Sequence, residues 1–253
     1  MNIRSEGVLV TGASRGLGKE LARAFARRGA RVVLVARGRD DLEAATAQIR
    51  REGGEAHGLA FDVGDKAAVH RIAGAAAALV GPPSIVVHNA STLGAVPMPL
   101  LLDTDCEDLA RVLDVNLVGP FRLTKALVGP MVLRRRGLFL FLSSDAAVSA
   151  YARWGSYGVS KAAQDHLARS FAAELDPVRF FSVDPGEMDT KMHADALPDA
   201  DPTTLARPAD VAERLVAIVA RSGALVNGAR LSAADFEPLR DGAAARDGAG
   251  AEA

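Results

Sequence analysis

Tyr157 and Lys161 lie four apart in Tyr157-Gly158-Val159-Ser160-Lys161, so on a helix they share one face, a turn from each other. An ammonium held there favours phenolate and would bring the tyrosine down from its usual ~10 toward working pH, as a general acid or base requires. The run Thr11-Gly12-Ala13-Ser14-Arg15-Gly16-Leu17-Gly18 offers different chemistry. Its glycines let the backbone turn tightly and approach a pyrophosphate, and a helix starting there would face the phosphate charge. The spacing differs from the G-x-G-x-x-G fingerprint. Taken singly, the glycine run could be a plain tight turn, and an isolated Y-x-x-x-K is more often an exposed Tyr beside a solvated Lys.

The elements that must position these residues follow from periodicity. Short β-branched and apolar runs cover Val8–Thr11, Arg31–Ala36, Ala56–Phe61, Ser84–Asn89, Leu138–Ser143, Val178–Val183 and Ala229–Ser232. Most lack polar alternation, as strands buried on both faces do. Helical spacing fills Gly16–Arg28, Asp40–Glu52, Lys66–Leu79, Asp105–Arg135, Gly155–Leu175 and Ala209–Ala220. The alternation predicts an α/β protein with a parallel sheet covered by helices. The glycine-rich turn then falls between the first strand and first helix, and the Tyr-Lys pair on the fifth helix.

The 253 residues carry 30 Lys and Arg against 31 Asp and Glu. A net charge of -1 gives no long-range attraction to nucleic acid or to an anionic membrane, so neither is an expected partner. No apolar run approaches the roughly 18 residues of a membrane span. The first residues lack the pattern of a signal peptide, and a lone Cys106, expected to be a small, partly buried side chain, provides neither a disulfide nor a Cys cluster for zinc. A cytoplasmic protein without a metal site is expected. No composition shift marks a second domain. Residues 1–239 are read as a single domain and 240–253, rich in Ala, Gly and Asp, as a disordered tail.

The sequence resembles the short-chain dehydrogenase/reductase family. The T-G-x-x-x-G-x-G turn at Thr11 to Gly18 and the Y-x-x-x-K pair at Tyr157 and Lys161 match its two defining motifs. Counting thirteen positions back from the tyrosine lands the family's catalytic serine on Ser144. Its helix asparagine matches Asn116 in Val115-Asn116-Leu117, and its P-G-x-x-x-T element matches Pro185-Gly186-Glu187-Met188-Asp189-Thr190. Two departures stand out. His88-Asn89-Ala90-Ser91 replaces N-N-A-G, losing a glycine at Ser91, and Asp184 stands where Asn is usual. His88 is read as a hydrogen-bonded structural histidine.

The resemblance implies a Rossmann-type doubly wound seven-stranded parallel sheet of order 3-2-1-4-5-6-7. It also implies hydride transfer between a nicotinamide and a carbonyl or alcohol. Tyr157 would be the general acid, Ser144 an oxyanion-type donor, Lys161 the group that lowers the tyrosine pKa and holds the nicotinamide ribose, and Asn116 the residue that bends its helix and holds a relay water. Cofactor contacts are implied for Gly12, Ser14, Arg15, Gly16, Leu17, Gly18, Arg37, Asp62, Val63, Asn89, Ala90, Tyr157, Lys161, Pro185, Gly186, Met188 and Thr190. NAD-preferring relatives end the second strand in Asp, which here is Ala36, followed by Arg37. With Arg15, two guanidiniums would meet a 2′-phosphate with no carboxylate opposing them, which selects NADP(H).

A substrate loop is expected at about residues 188–207. With Leu93, Tyr151 and Trp154 it would form an apolar pocket for a small, hydrophobic or aromatic carbonyl compound, and the Asp189-Thr190-x-Met192 run is similar to the sepiapterin and benzil reductase branch. Relatives form homodimers or homotetramers, and the Asp105–Arg135 helix is the surface expected to pair. Two alternatives stay open: an NADP-dependent alcohol dehydrogenase working in the oxidative direction, and a non-catalytic NADP-binding regulator.

Overall fold

Alternate residues along the central strands feed two separate cores. Val8 and Val10 face one layer while Leu9 faces the other, and Leu138 and Leu140 oppose Phe139 and Phe141 in the same way. A strand whose two faces are both covered by helices has no use for polar alternation, which is why β1 (Gly7–Thr11) and β5 (Leu138–Leu142) are apolar and buried throughout. The computed structural model describes residues 1–239. The expected tail at 240–253 lies outside them.

Between these strands run β2 (Arg31–Ala36), β3 (Glu55–Ala60) and β4 (Ile85–His88), and after them β6 (Arg179–Asp184) and β7 (Arg230–Ser232). All pair in parallel in the order β3-β2-β1-β4-β5-β6-β7. On one face α1 (Gly16–Arg27) and α8 (Pro208–Arg221) pack through Leu21, Phe25, Leu215 and Val219. The other face carries α3 (Ala68–Val80), α5 (Gly119–Leu133) and α6 (Gly155–Glu174), through Ile72, Leu127 and Phe171. Helix α2 (Arg39–Arg51) buries Leu42 and Ile49 beside β3. The chain order reverses between β1 and β4, so the carboxyl ends of these strands open a crevice where such sheets take ligands.

Three features differ from the sequence reading. The stretch expected as one helix over Asp105–Arg135 is α4 (Cys106–Leu113), a π-helical turn over Asp114–Val118, and α5. Pro120 has no N–H to offer the Asn116 carbonyl four residues earlier, and Gln164 Nε2 of α6 donates to that carbonyl instead at 2.8 Å. Second, the substrate loop contains a short helix, α7 (Lys191–Ala196), whose first turn is capped by Thr190, its hydroxyl accepting from His193 N. Third, Cys106 is exposed rather than partly buried, because α4 turns only Val112 fully inward. Among the described residues no helix is long and apolar enough to cross a membrane.

Candidate active site

The crevice is a cleft of about 1130 Å³ running from the β1 and β2 ends to α7. At its floor the glycine-rich turn leaves β1 and enters α1. Gly12 and Gly16 sit at φ +65° and +53°, in the left-handed region that glycine tolerates. A Cβ on Gly18 would stand 2.4 Å from the Gly12 carbonyl oxygen, and one on Gly12 would stand 2.8 Å from Ala90 Cα. The turn therefore packs against the end of β4 without a gap. No side chain caps α1, since its N-cap residue Arg15 makes no capping bond, so the first N–H groups of the helix face the cleft beside Ser14, Gly16 and Leu17. A glycine cradle ending in an uncapped helix N-terminus fits the pyrophosphate of a dinucleotide.

The end of β4 is latched to β1. Thr11 Oγ1 accepts from Asn89 N and Ala90 N, both at 3.0 Å. Asn89 Nδ2 donates to the carbonyls of Thr11 at 2.9 Å and Gly12 at 3.1 Å, so this side chain is spent on shaping the turn, while Asn89 and Ala90 still line the cleft. His88 lies behind them, fully buried, with Nε2 2.9 Å from Thr124 Oγ1 and its ring against Phe141. Burial pushes its pKa down to about 3, so the ring is neutral.

Tyr157, Lys161 and Ser144 meet in the middle of the cleft. Tyr157 and Lys161 project from one face of α6, with Lys161 Nζ 5.4 Å from the tyrosine ring centre. Lys161 is buried and donates to the Leu142 carbonyl at 2.6 Å. Ser144 follows β5, and its hydroxyl donates to Asp145 Oδ1 at 2.9 Å and accepts from Ala146 N. Burial drives the Tyr157 pKa up to about 12, against the pull of the Ser144 and Ser91 hydroxyls beside it, and the Asp184 and Asp145 carboxylates push it the same way as burial. Burial likewise lowers Lys161 to about 8, with Asp165 and Asp184 pulling it back up.

Asn116 sits in the π-helical turn and is fully buried. Its amide donates to Thr92 O and Ser160 Oγ, both at 2.9 Å, and its oxygen accepts from Thr92 N at 2.8 Å. It thus ties the loop after β4 to α6 at Ser160, the residue before Lys161.

Toward β2, Ala36 ends the strand and Arg37 enters the cleft with its side chain 72% exposed. The expectation that no carboxylate opposes it is not met: Asp62 Oδ2 lies 4.0 Å from Arg37 Nη1, because Asp62 turns back to accept from Gly64 N beside Val63. On the opposite wall Pro185, Gly186, Met188 and Thr190 follow β6 into the cleft. The unusual Asp184 now has a partner. Its carboxylate accepts from Gly186 N at 3.0 Å and from Arg230 Nη2 at 3.1 Å, and the same guanidinium reaches Asp165 and the Ser144 carbonyl. Nothing in the spacing of Arg230 signals this clamp, since its partners come from three other elements. Beyond Tyr157 the cleft is walled by Leu93, Trp154, Met192 and Ala196, an apolar surface with Tyr151 at its edge.

Strand order, crevice and glycine cradle together define a dinucleotide-binding α/β protein. The sequence pattern of the short chain dehydrogenase family matches residues 6–201, and the chain belongs to that family. It is 34% identical over 209 residues to the uncharacterized oxidoreductase YciK of Escherichia coli, covering 81% of this chain and 82% of that one. Among solved structures, a putative short chain dehydrogenase from Pseudomonas syringae superposes with a TM-score of 0.86 at 32% identity, covering 92% and 96% of the two chains. A short chain dehydrogenase from Shigella flexneri, complexed with NADP, also reaches 0.86, at 27% identity and coverages of 92% and 98%. Against some curated relatives the chain spans only 53% or 62% of their length. Membership places it in a family of oxidoreductases that bind a nicotinamide cofactor.

Proposed function

We propose that the protein reduces a ketone or aldehyde to an alcohol at the expense of NADPH, with Tyr157 as general acid. The observation that carries this reading is the meeting of Ser144, Tyr157 and Lys161 in one cleft whose floor is the glycine cradle. A bound nicotinamide supplies the hydride. The chain's own residues do the rest. Ser144 and Tyr157 offer two hydroxyls to the carbonyl oxygen, and as that oxygen gains negative charge the proton passes to it from Tyr157. Lys161, held under the tyrosine ring, stabilises the phenolate left behind. The apolar wall of Leu93, Trp154 and Met192 excludes water and suits a hydrophobic or aromatic carbonyl compound. A chain that only sensed the cofactor would have no need of Ser144.

Preference for NADPH is supported by Ala36 where a carboxylate would select NADH, and by Arg15 and Arg37 within the same cleft. The NADP carried by the Shigella flexneri relative agrees. Asp62 competes for Arg37 but leaves it largely exposed, free to turn to a dianionic phosphate. The reading is tested by following NADPH absorbance against a panel of aromatic aldehydes and diketones. Loss of absorbance with alcohol formation is expected, and no turnover across the panel overturns it.

A further inference from the structure

Ser91 is fixed in place by its neighbours on both sides. Ala90 N is bonded to Thr11 Oγ1 at 3.0 Å, and Thr92 is gripped by Asn116 through both its N–H, at 2.8 Å, and its carbonyl, at 2.9 Å. Residue 91 therefore has little freedom to move away from the cleft that it lines with Ser144, Tyr157 and Lys161. Its Oγ is buried and makes no hydrogen bond of full geometry among the described residues, though it is near enough to the Tyr157 phenol to pull its pKa down. A buried hydroxyl left without a good partner is destabilising, and at this position the sequence has exchanged a glycine's backbone freedom for that hydroxyl. It lines the same cleft as the Tyr157 phenol and lies close enough to act on it.

We infer that Ser91 is a further catalytic residue, whose hydroxyl donates a hydrogen bond to the Tyr157 oxygen once the phenol has given up its proton. This rests on the reading of Tyr157 as the acid. Ser91 keeps its own hydrogen throughout, and the only proton transferred to the carbonyl oxygen is the tyrosine's. A hydrogen bond to the charged form favours that form, so Ser91 makes the buried phenol easier to ionise than burial alone would allow. In a site where Lys161 Nζ is taken up by the Leu142 carbonyl, a second donor to the phenolate is what this chain has in place of glycine.

The test compares wild type with Ser91→Gly, Ser91→Ala and Ser91→Thr, each checked for NADPH binding to confirm that it folds. With only two tyrosines in the chain, ring-labelled tyrosine gives two NMR signals, and Tyr151→Phe assigns them. With NADP⁺ bound, the fraction of Tyr157 ionised is measured up to the highest pH at which all variants stay folded. The glycine and alanine variants should ionise later by about one pH unit, and threonine, keeping the hydroxyl, should restore the wild-type curve. The alkaline limb of kcat for carbonyl reduction should move to higher pH in the same two variants. Equal ionised fractions in all four proteins overturn the inference. Because that measurement needs no turnover, a wild type that reduces no carbonyl would sink the proposed reaction and still leave Ser91 judged on the NMR result.

Discussion

Arg37 and His88 show how one side chain's surroundings decide its role. Arg37 is exposed at the β2 end of the cleft with Asp62 4.0 Å away. Truncating it should weaken NADPH by roughly 10 to 100-fold, toward the lower end because Asp62 competes, and leave NADH almost unchanged. Comparing kcat/KM for both cofactors at moderate ionic strength checks this, and equal losses would show that the arginine acts through packing. Ala36→Asp should turn the preference toward NADH. His88 makes a stability prediction instead. Its folded pKa of about 3 lies below its ordinary value of 6.5, so between those pH values the unfolded chain binds more protons than the native one. Stability contributed by the neutral ring is full above 6.5 and is lost as pH falls toward 3. His88→Asn should therefore lose less stability than wild type between pH 7 and pH 4, as urea denaturation at the two pH values would show. Parallel losses would contradict it. Ser144, Tyr157 and Lys161 were legible in the sequence because their spacing is local or fixed by family resemblance. Asp62 facing Arg37 was not, since it depends on how the chain after β3 turns.

At the level of elements, the glycine turn and the π-helical turn position everything else. Gly18→Ala places a methyl group 2.4 Å from a backbone oxygen and from Asn89 Nδ2, where neither neighbour can give way without opening the β1–β4 latch. Gly16→Ala meets only the Thr190 side chain at 3.5 Å, and its cost is the left-handed backbone at φ +53°, about 1 kcal/mol. Gly18→Ala should thus lose both NADPH affinity and thermal stability by more than Gly16→Ala, which calorimetry with a cofactor titration can rank. The reverse order would mean that the turn is not packed as described. The central strands were readable because burial on both faces leaves continuous apolar runs. Helix α7 was not, being too short to show a period. The π-helical turn has only Pro120 as a sequence signal, and its compensating bond comes from Gln164, 48 residues away.

Across the whole molecule, a net charge of -1 leaves anion binding to local features, and the sheet concentrates those features at one edge. The reversal between β1 and β4 brings the glycine turn, the β4 end, Ser144 after β5 and the Asp184 clamp after β6 to a single crevice. Alternation of strand and helix made the parallel, helix-covered sheet predictable and the family resemblance its strand order, but neither pointed to the Arg230 contacts that tie β7, α6 and β6 behind the site. The central claim is that this crevice performs an acid-assisted reduction through Tyr157. Its most direct test is Tyr157→Phe, which keeps the ring and its packing and removes only the transferable proton. With the best carbonyl substrate under saturating NADPH, turnover should fall by about 100-fold or more, while NADPH affinity stays within a few-fold of wild type. A variant that keeps near-wild-type kcat would contradict the account.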